Sequence, residues 1–135
     1  MNAIHFYNKE RNTVIELINL RFDKHLTNTV FVYFKGKINF DFFCLETDFE
    51  AEVFDFEDLL VSLRLMYEGK RKSANFNPLS PKIMIKFEFH DCGHILVKSR
   101  ISNDIATCCL EFEYEIDQSF LPELIREIEI AISDG

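Results

Sequence analysis

The chain has 135 residues, 47% hydrophobic and 28% charged, with a formal net charge of −8. This is the size of one domain with a single core, so residues 1–135 are expected to form one unit. An acidic surface repels nucleic acid and anionic membrane, no apolar run approaches the roughly 18 residues of a membrane helix, and the opening MNAIHFYNKERN is too polar for a secretory signal, so a cytoplasmic location is expected.

Taken in order, the chain reads mostly as strands. TVIELINLRF (13–22) alternates, and NTVFVYFK (28–35) follows the polar DKH. Gly36 marks a turn, and KINFDFF runs on from 37. The alternation slips at FFCL, which predicts a bulge. It resumes in DFEAEVF, with Phe49, Ala51 and Val53 on one face and Asp48, Glu50 and Glu52 on the other. Asp55 can cap a helix whose apolar stripe is Phe56, Leu59, Leu60, Leu63, Met66 and Tyr67, with Gly69 as its stop. KRKSANFNPLSP is a loop or a short irregular strand.

KIMIKFEFH then places Ile83, Ile85, Phe87 and Phe89 inward and Lys82, Met84, Lys86, Glu88 and His90 outward. HILVKSRI places Ile95, Val97, Ser99 and Ile101 inward. A three-residue loop, Asp91-Cys92-Gly93, pairs Phe89 with Ile95 and Phe87 with Val97. A two-residue turn at Asn103-Asp104 would pair Ile101 with Ala106, Ser99 with Cys108, Val97 with Leu110 and Ile95 with Phe112. That register sets His94 opposite Glu113 and Lys98 near Cys109 and Glu111. Asp117 or Ser119 caps a last helix with Phe120 or Leu121, Leu124, Ile125, Ile128 and Ile132 buried; Pro122 fits its first turn. The expected fold is α+β: an antiparallel meandering sheet of about six strands with two helices packed on it, in the order βββ-α-βββ-α. Two packed sheets are the alternative. Fifteen Phe and no Trp point to an aromatic core.

Charge is unevenly placed. No basic residue lies between Lys37 and Arg64, and Arg126 is the only one from Ile101 onward. The gaps hold two carboxylate columns, Asp48, Glu50 and Glu52, and Glu111, Glu113 and Glu115. Alternate residues of a strand lie about 6.6–6.8 Å apart on one face. That spacing fits an inverting glycosidase pair, but it is also the ordinary look of a wet sheet face, and there is no Trp platform for sugar. A field of this sign attracts a basic partner or simply keeps the surface solvated.

HDCGH (90–94) is the densest chemical cluster. Outward His90 and His94, with Glu113, would make an open metal site, whereas stable zinc sites have three or four ligands; the bland reading is a hairpin tip. A Cys–His nucleophile there would need a pocket and an oxyanion hole, to which nothing points. Cys44, Cys92, Cys108 and Cys109 show no zinc spacing and are expected reduced in a cytosolic protein. Lys70-Arg71-Lys72 is a candidate phosphate site, but cations commonly follow a helix C-terminus. No phosphate-loop, dinucleotide, nucleophile-elbow or H-E-x-x-H motif is present, so neither cofactor nor catalysis is expected.

In the second half a phenylalanine-led helix, FDFEDLLVSLRLMYEGKRKSANF, precedes the strand pair KIMIKFEFHDCGHILVKSRI. The strand ATCCLEFEYEIDQSF then runs into the helix LPELIREIEIAI. This arrangement resembles the WapI-type family of bacterial immunity proteins. The matching residues are Phe56, Leu60, Leu63, Gly69, Gly93, Phe112, Asp117, Gln118 and Leu121, with Ser119 where Thr is common. The resemblance implies a non-catalytic protein that binds and blocks the C-terminal domain of a polymorphic toxin, often a basic nuclease. The family carries no fixed functional residues to transfer, and Asp117 and Gln118 are expected to orient the last helix. The acidic strand faces, Asp48, Glu50, Glu52, Glu111, Glu113 and Glu115, are the candidate contacts. A regulatory module with another protein partner is the competing reading.

Overall fold

The alternating segments pair as antiparallel ladders. The computed structural model describes residues 3–24, 28–79, 82–91, 93–103 and 108–133. Among these residues, β1 (Ile4–Tyr7), β2 (Thr13–Lys24), β3 (Val30–Phe40) and β4 (Phe43–Glu52) form one sheet in chain order. Helix α1 (Val53–Tyr67) leads to a second sheet of β5 (Ser73–Phe76), β6 (Ile83–Asp91), β7 (His94–Ser102) and β8 (Cys109–Asp117). A short 3₁₀ turn, Gln118–Phe120, enters α2 (Leu121–Ser133). The class is the expected α+β, in the order strands, helix, strands, helix. The single sheet of about six strands is corrected to two sheets of four; β1 and β5, too short to declare a period, account for the additional strands.

The inner faces meet through phenylalanine. Phe6 stacks on Phe87 at 6.1 Å, Phe34 lies 6.4 Å from Phe76, and Phe40 stacks on Phe112 at 4.9 Å. Each ring touches across the gap between sheets, so the aromatic excess is the layer that joins them. Burying one such side chain contributes about 1.5–3 kcal/mol. Phe56 of α1 meets Phe34 edge-on at 5.6 Å and Phe76 at 4.8 Å, tying the helix to both sheets. Helix α1 packs on β5 and α2, and α2 packs on β1.

Local chemistry explains the helix ends. Glu52, not Asp55, is the N-cap of α1; Asp55 sits three residues on and accepts the Glu52 backbone N–H at 2.8 Å. At the other end Gly69 (φ +77°) and Lys70 donate to Met66 and Leu65 carbonyls, a Schellman closure. The expected stripe is buried except for Tyr67, which is exposed. Asp117 accepts from Ser119 N–H at 3.4 Å before α2.

Other expectations are corrected. Gly36 is not a turn but lies inside β3, paired with Leu17 and Thr47. The slip at FFCL is not a bulge: Phe40 pairs with Phe43 across a two-residue turn, Asp41-Phe42, with Asp41 left-handed at φ 57°. The β6–β7 pairing is as expected for Phe89–Ile95 and Phe87–Val97, but the strands close one step nearer the tip, at Asp91–His94, and the ladder shifts between Phe89 and Asp91. The β7–β8 register is moved by four residues: Ile101 pairs with Leu110, Ser99 with Phe112, Val97 with Tyr114 and Ile95 with Ile116. Asn103 N–H donates to the Cys108 carbonyl, so the connection is longer than two residues; Asp104 lies outside the described residues. An even shift keeps the same faces buried, which is why the burial pattern alone admitted both registers.

Candidate partner-binding surface

An unpaired sheet edge is a row of open donors and acceptors. Two of the four outer strands here are covered. At β1 the Glu127 carboxylate of α2 accepts the His5 backbone N–H at 2.7 Å, and the His5 ring lies between two carboxylates, with Nδ1 3.1 Å from Glu127 and Nε2 3.0 Å from Glu16. Strand β5 lies against α1. The remaining outer strands, β4 and β8, are those that carry the two carboxylate columns.

On β4, Asp48 and Glu50 point outward and bear no ion pair among the described residues, opposite Lys35 and Tyr33. Lys35 Nζ turns to Glu46 at 3.3 Å. Lys82, just before β6, donates to the Asp48 carbonyl at 2.6 Å and lies over the Phe49 ring. Glu52 is half-buried and committed to capping α1. The α1 end of β4 is therefore sealed.

On β8, Glu111 approaches Arg100 Nε at 3.6 Å, and Glu115 meets His94 Nδ1 at 3.1 Å. Glu113 faces Lys98, which turns to Glu88 at 3.9 Å and leaves Glu113 without an ion pair among the described residues. The neighbouring Lys86 (3.1 Å) and Lys98 hold the Glu88 carboxyl below its ordinary value. Of this column, Glu111 is thus paired with the Arg100 cation of β7 and Glu115 with the His94 ring. Tyr114, between these glutamates in sequence, points inward beside Phe40 and Phe112, where burial pushes its phenol well above the usual range.

The HDCGH cluster disperses. His94 lies opposite Asp117 rather than Glu113, its ring engages Glu115, and His90 falls in the irregular step of β6. Among the described residues no three His, Cys, Asp or Glu side chains gather in metal-binding geometry; Cys92 lies outside them. Cys44, Cys108 and Cys109 are free and exposed, with Arg100 Nε 3.1 Å from Cys109 Sγ. Of the basic run, Arg71 donates to buried Ser62 at 3.0 Å and Lys70 approaches Glu68 at 3.8 Å. Sequence reasoning missed Phe42 and Phe43, which stack at 5.0 Å on the β3–β4 tip, fully and half exposed. The signal was available: three of the five residues from Phe40 to Cys44 are Phe, too apolar for an ordinary turn.

Fold and surface together define a small α+β protein whose two open edges are acidic and whose described residues assemble no metal cluster. Residues 6–134 match the immunity protein WapI-like family, and the chain belongs to that family. Comparison with curated proteins gave no match. Among solved structures, the plant transcriptional regulator PBF-2 aligns at TM-score 0.50 with 10% identity, covering 96% of this chain and 78% of that one. WHY1 from Arabidopsis thaliana aligns at TM-score 0.51 with 13% identity, covering 97% and 81%. At such identities the likeness is one of fold alone. No helix among the described residues is long and apolar enough to cross a membrane.

Proposed function

We propose that this chain is an immunity protein that binds the C-terminal toxin domain of a polymorphic toxin in the cytoplasm and neutralises it by occlusion, with no catalysis of its own. The observation that carries the reading is the family match over residues 6–134. The charge supports a basic partner, such as a nuclease domain: the net charge is −8, and the two outer strands left uncovered are acidic. The same sign opposes direct binding of nucleic acid or anionic membrane.

The contacts proposed are Asp48, Glu50 and Glu52 on β4 and Glu111, Glu113 and Glu115 on β8. Asp48, Glu50 and Glu113 are the most available, because no neighbouring cation among the described residues pairs with them. Charges of this kind set the association rate and the choice of partner more than the final affinity. Like charges on both outer strands also oppose edge-to-edge pairing of two copies of this chain.

The test is co-expression with the toxin domain encoded in the adjacent reading frame. Survival of the host, together with co-purification of the two proteins, is the expected result. If the toxin still kills and no complex forms, the reading is wrong.

A further inference from the structure

We infer that the β3–β4 hairpin tip, with Phe42 and Phe43 at its head, is the apolar anchor by which this protein seats on its toxin; this rests on the function proposed above. Phe42 is 83% exposed and Phe43 47%, and their rings stack at 5.0 Å. Folding gains almost nothing from a ring left this far in water. The pair is held by a two-residue turn, with Asp41 in the left-handed region and Phe40, next to it, locked on Phe112. A rigid pair of rings loses little conformational freedom on docking, which is the property of interface anchors.

The surroundings specify the occupant. The α1 end of β4 is closed by Lys82 on the Asp48 carbonyl and by Asp55 on the Glu52 N–H. At the tip end, no described residue outside the β3 ladder hydrogen-bonds to Cys44 or to the Glu46 backbone. A depression of about 450 Å³ opens there, lined by Thr13, Lys37, Asn39, Cys44, Leu45 and Glu46. Along β4 from the apolar tip, Glu46, paired with Lys35, comes first, and the unpaired Asp48 and Glu50 follow farther up the strand. The complement of the tip is an apolar socket rimmed by Lys and Arg, on a basic toxin domain. A second copy of this chain fits poorly, since it would bring the same carboxylates together.

Calorimetric titration of the purified toxin domain decides the matter, with wild type, Phe42→Ala, the Phe42→Ala/Phe43→Ala double variant, and Phe54→Ala as an exposed phenylalanine on α1. The double variant is expected to bind about 30-fold more weakly or worse, and Phe42→Ala about 10-fold, while Phe54→Ala stays within about threefold. Phe42→Ala removes only a solvated ring, so it keeps the test valid should the double variant misfold. If wild type binds and both tip variants bind within about threefold of it, the anchor is wrong and the proposed function stands. If wild type does not bind, both fall. A dimer of this chain, or adsorption to phosphatidylcholine vesicles, that Phe42→Ala abolishes while toxin affinity is unchanged would also overturn the anchor.

Discussion

The ring of Phe49 lies against Gly36: a β-carbon at position 36 would sit 2.5 Å from Phe49 Cε2. Phe49 is buried and stacked on Phe34 at 5.7 Å, so the ring has nowhere to retreat. Glycine inside a strand commonly marks such a close approach. Gly36→Ala is therefore expected to destabilise the protein by about 1–3 kcal/mol, despite alanine's lower unfolded-state entropy. Urea unfolding measures this; a variant as stable as wild type would show that Phe49 repacks freely.

The same position shows how far the sequence could be read. Gly36 looks like a turn because glycine usually punctuates strands. Yet Val32, Phe34, Ile38 and Phe40 keep one parity across it and all face inward, which a turn at 36 would have broken. The strand–helix–strand–helix order, the faces of β6 and β7, and the stop at Gly69 were legible, because period and cap chemistry are local. Register between β7 and β8 was not, since Ile101 meets an apolar inward residue in either alignment. Of the candidate surface, the acidic columns were legible, but their place on the two uncovered outer strands is a property of the sheet order. Helix α2 reaching His5 is a contact 122 residues apart in sequence and leaves no local trace.

That contact gives a second expectation. Glu127 closes the β1 edge by accepting the His5 backbone N–H and lying against its ring, in a site only about a quarter exposed. Glu127→Ala leaves the His5 N–H without its acceptor and is expected to cost about 1–3 kcal/mol. Hydrogen exchange should quicken at the β1 amides before the rest of the first sheet. Uniform protection across β1 and β2 would mean that α2 does not secure this edge.

Ser99 provides a test of opposite sign. Its hydroxyl is buried between inward-facing neighbours and has no hydrogen-bond partner among the described residues. Ser99→Ala removes an unsatisfied polar group at little loss of volume, so stability is expected to stay level or rise by about 1 kcal/mol. A thermal midpoint several degrees lower in the alanine variant would reveal a partner for that hydroxyl.

Charge reversal addresses the acidic edges. Asp48→Lys with Glu50→Lys on β4, or Glu113→Lys on β8, is expected to slow toxin association about 10-fold or more at low salt, with a smaller effect on dissociation. The difference should shrink as ionic strength rises. Stopped-flow association separates the edges: a reversal that leaves the rate unchanged removes that strand from the interface.

Protection by occlusion of a toxin domain, as proposed above, has a direct readout. The most direct measurement is titration of the purified chain into the toxin domain from the adjacent reading frame, followed by assay of the toxin's activity in the same mixture. A saturable complex that silences the toxin in proportion to occupancy, and that weakens with salt, is predicted. An active toxin in the presence of excess chain, with no complex formed, would show that this chain does not act by occlusion.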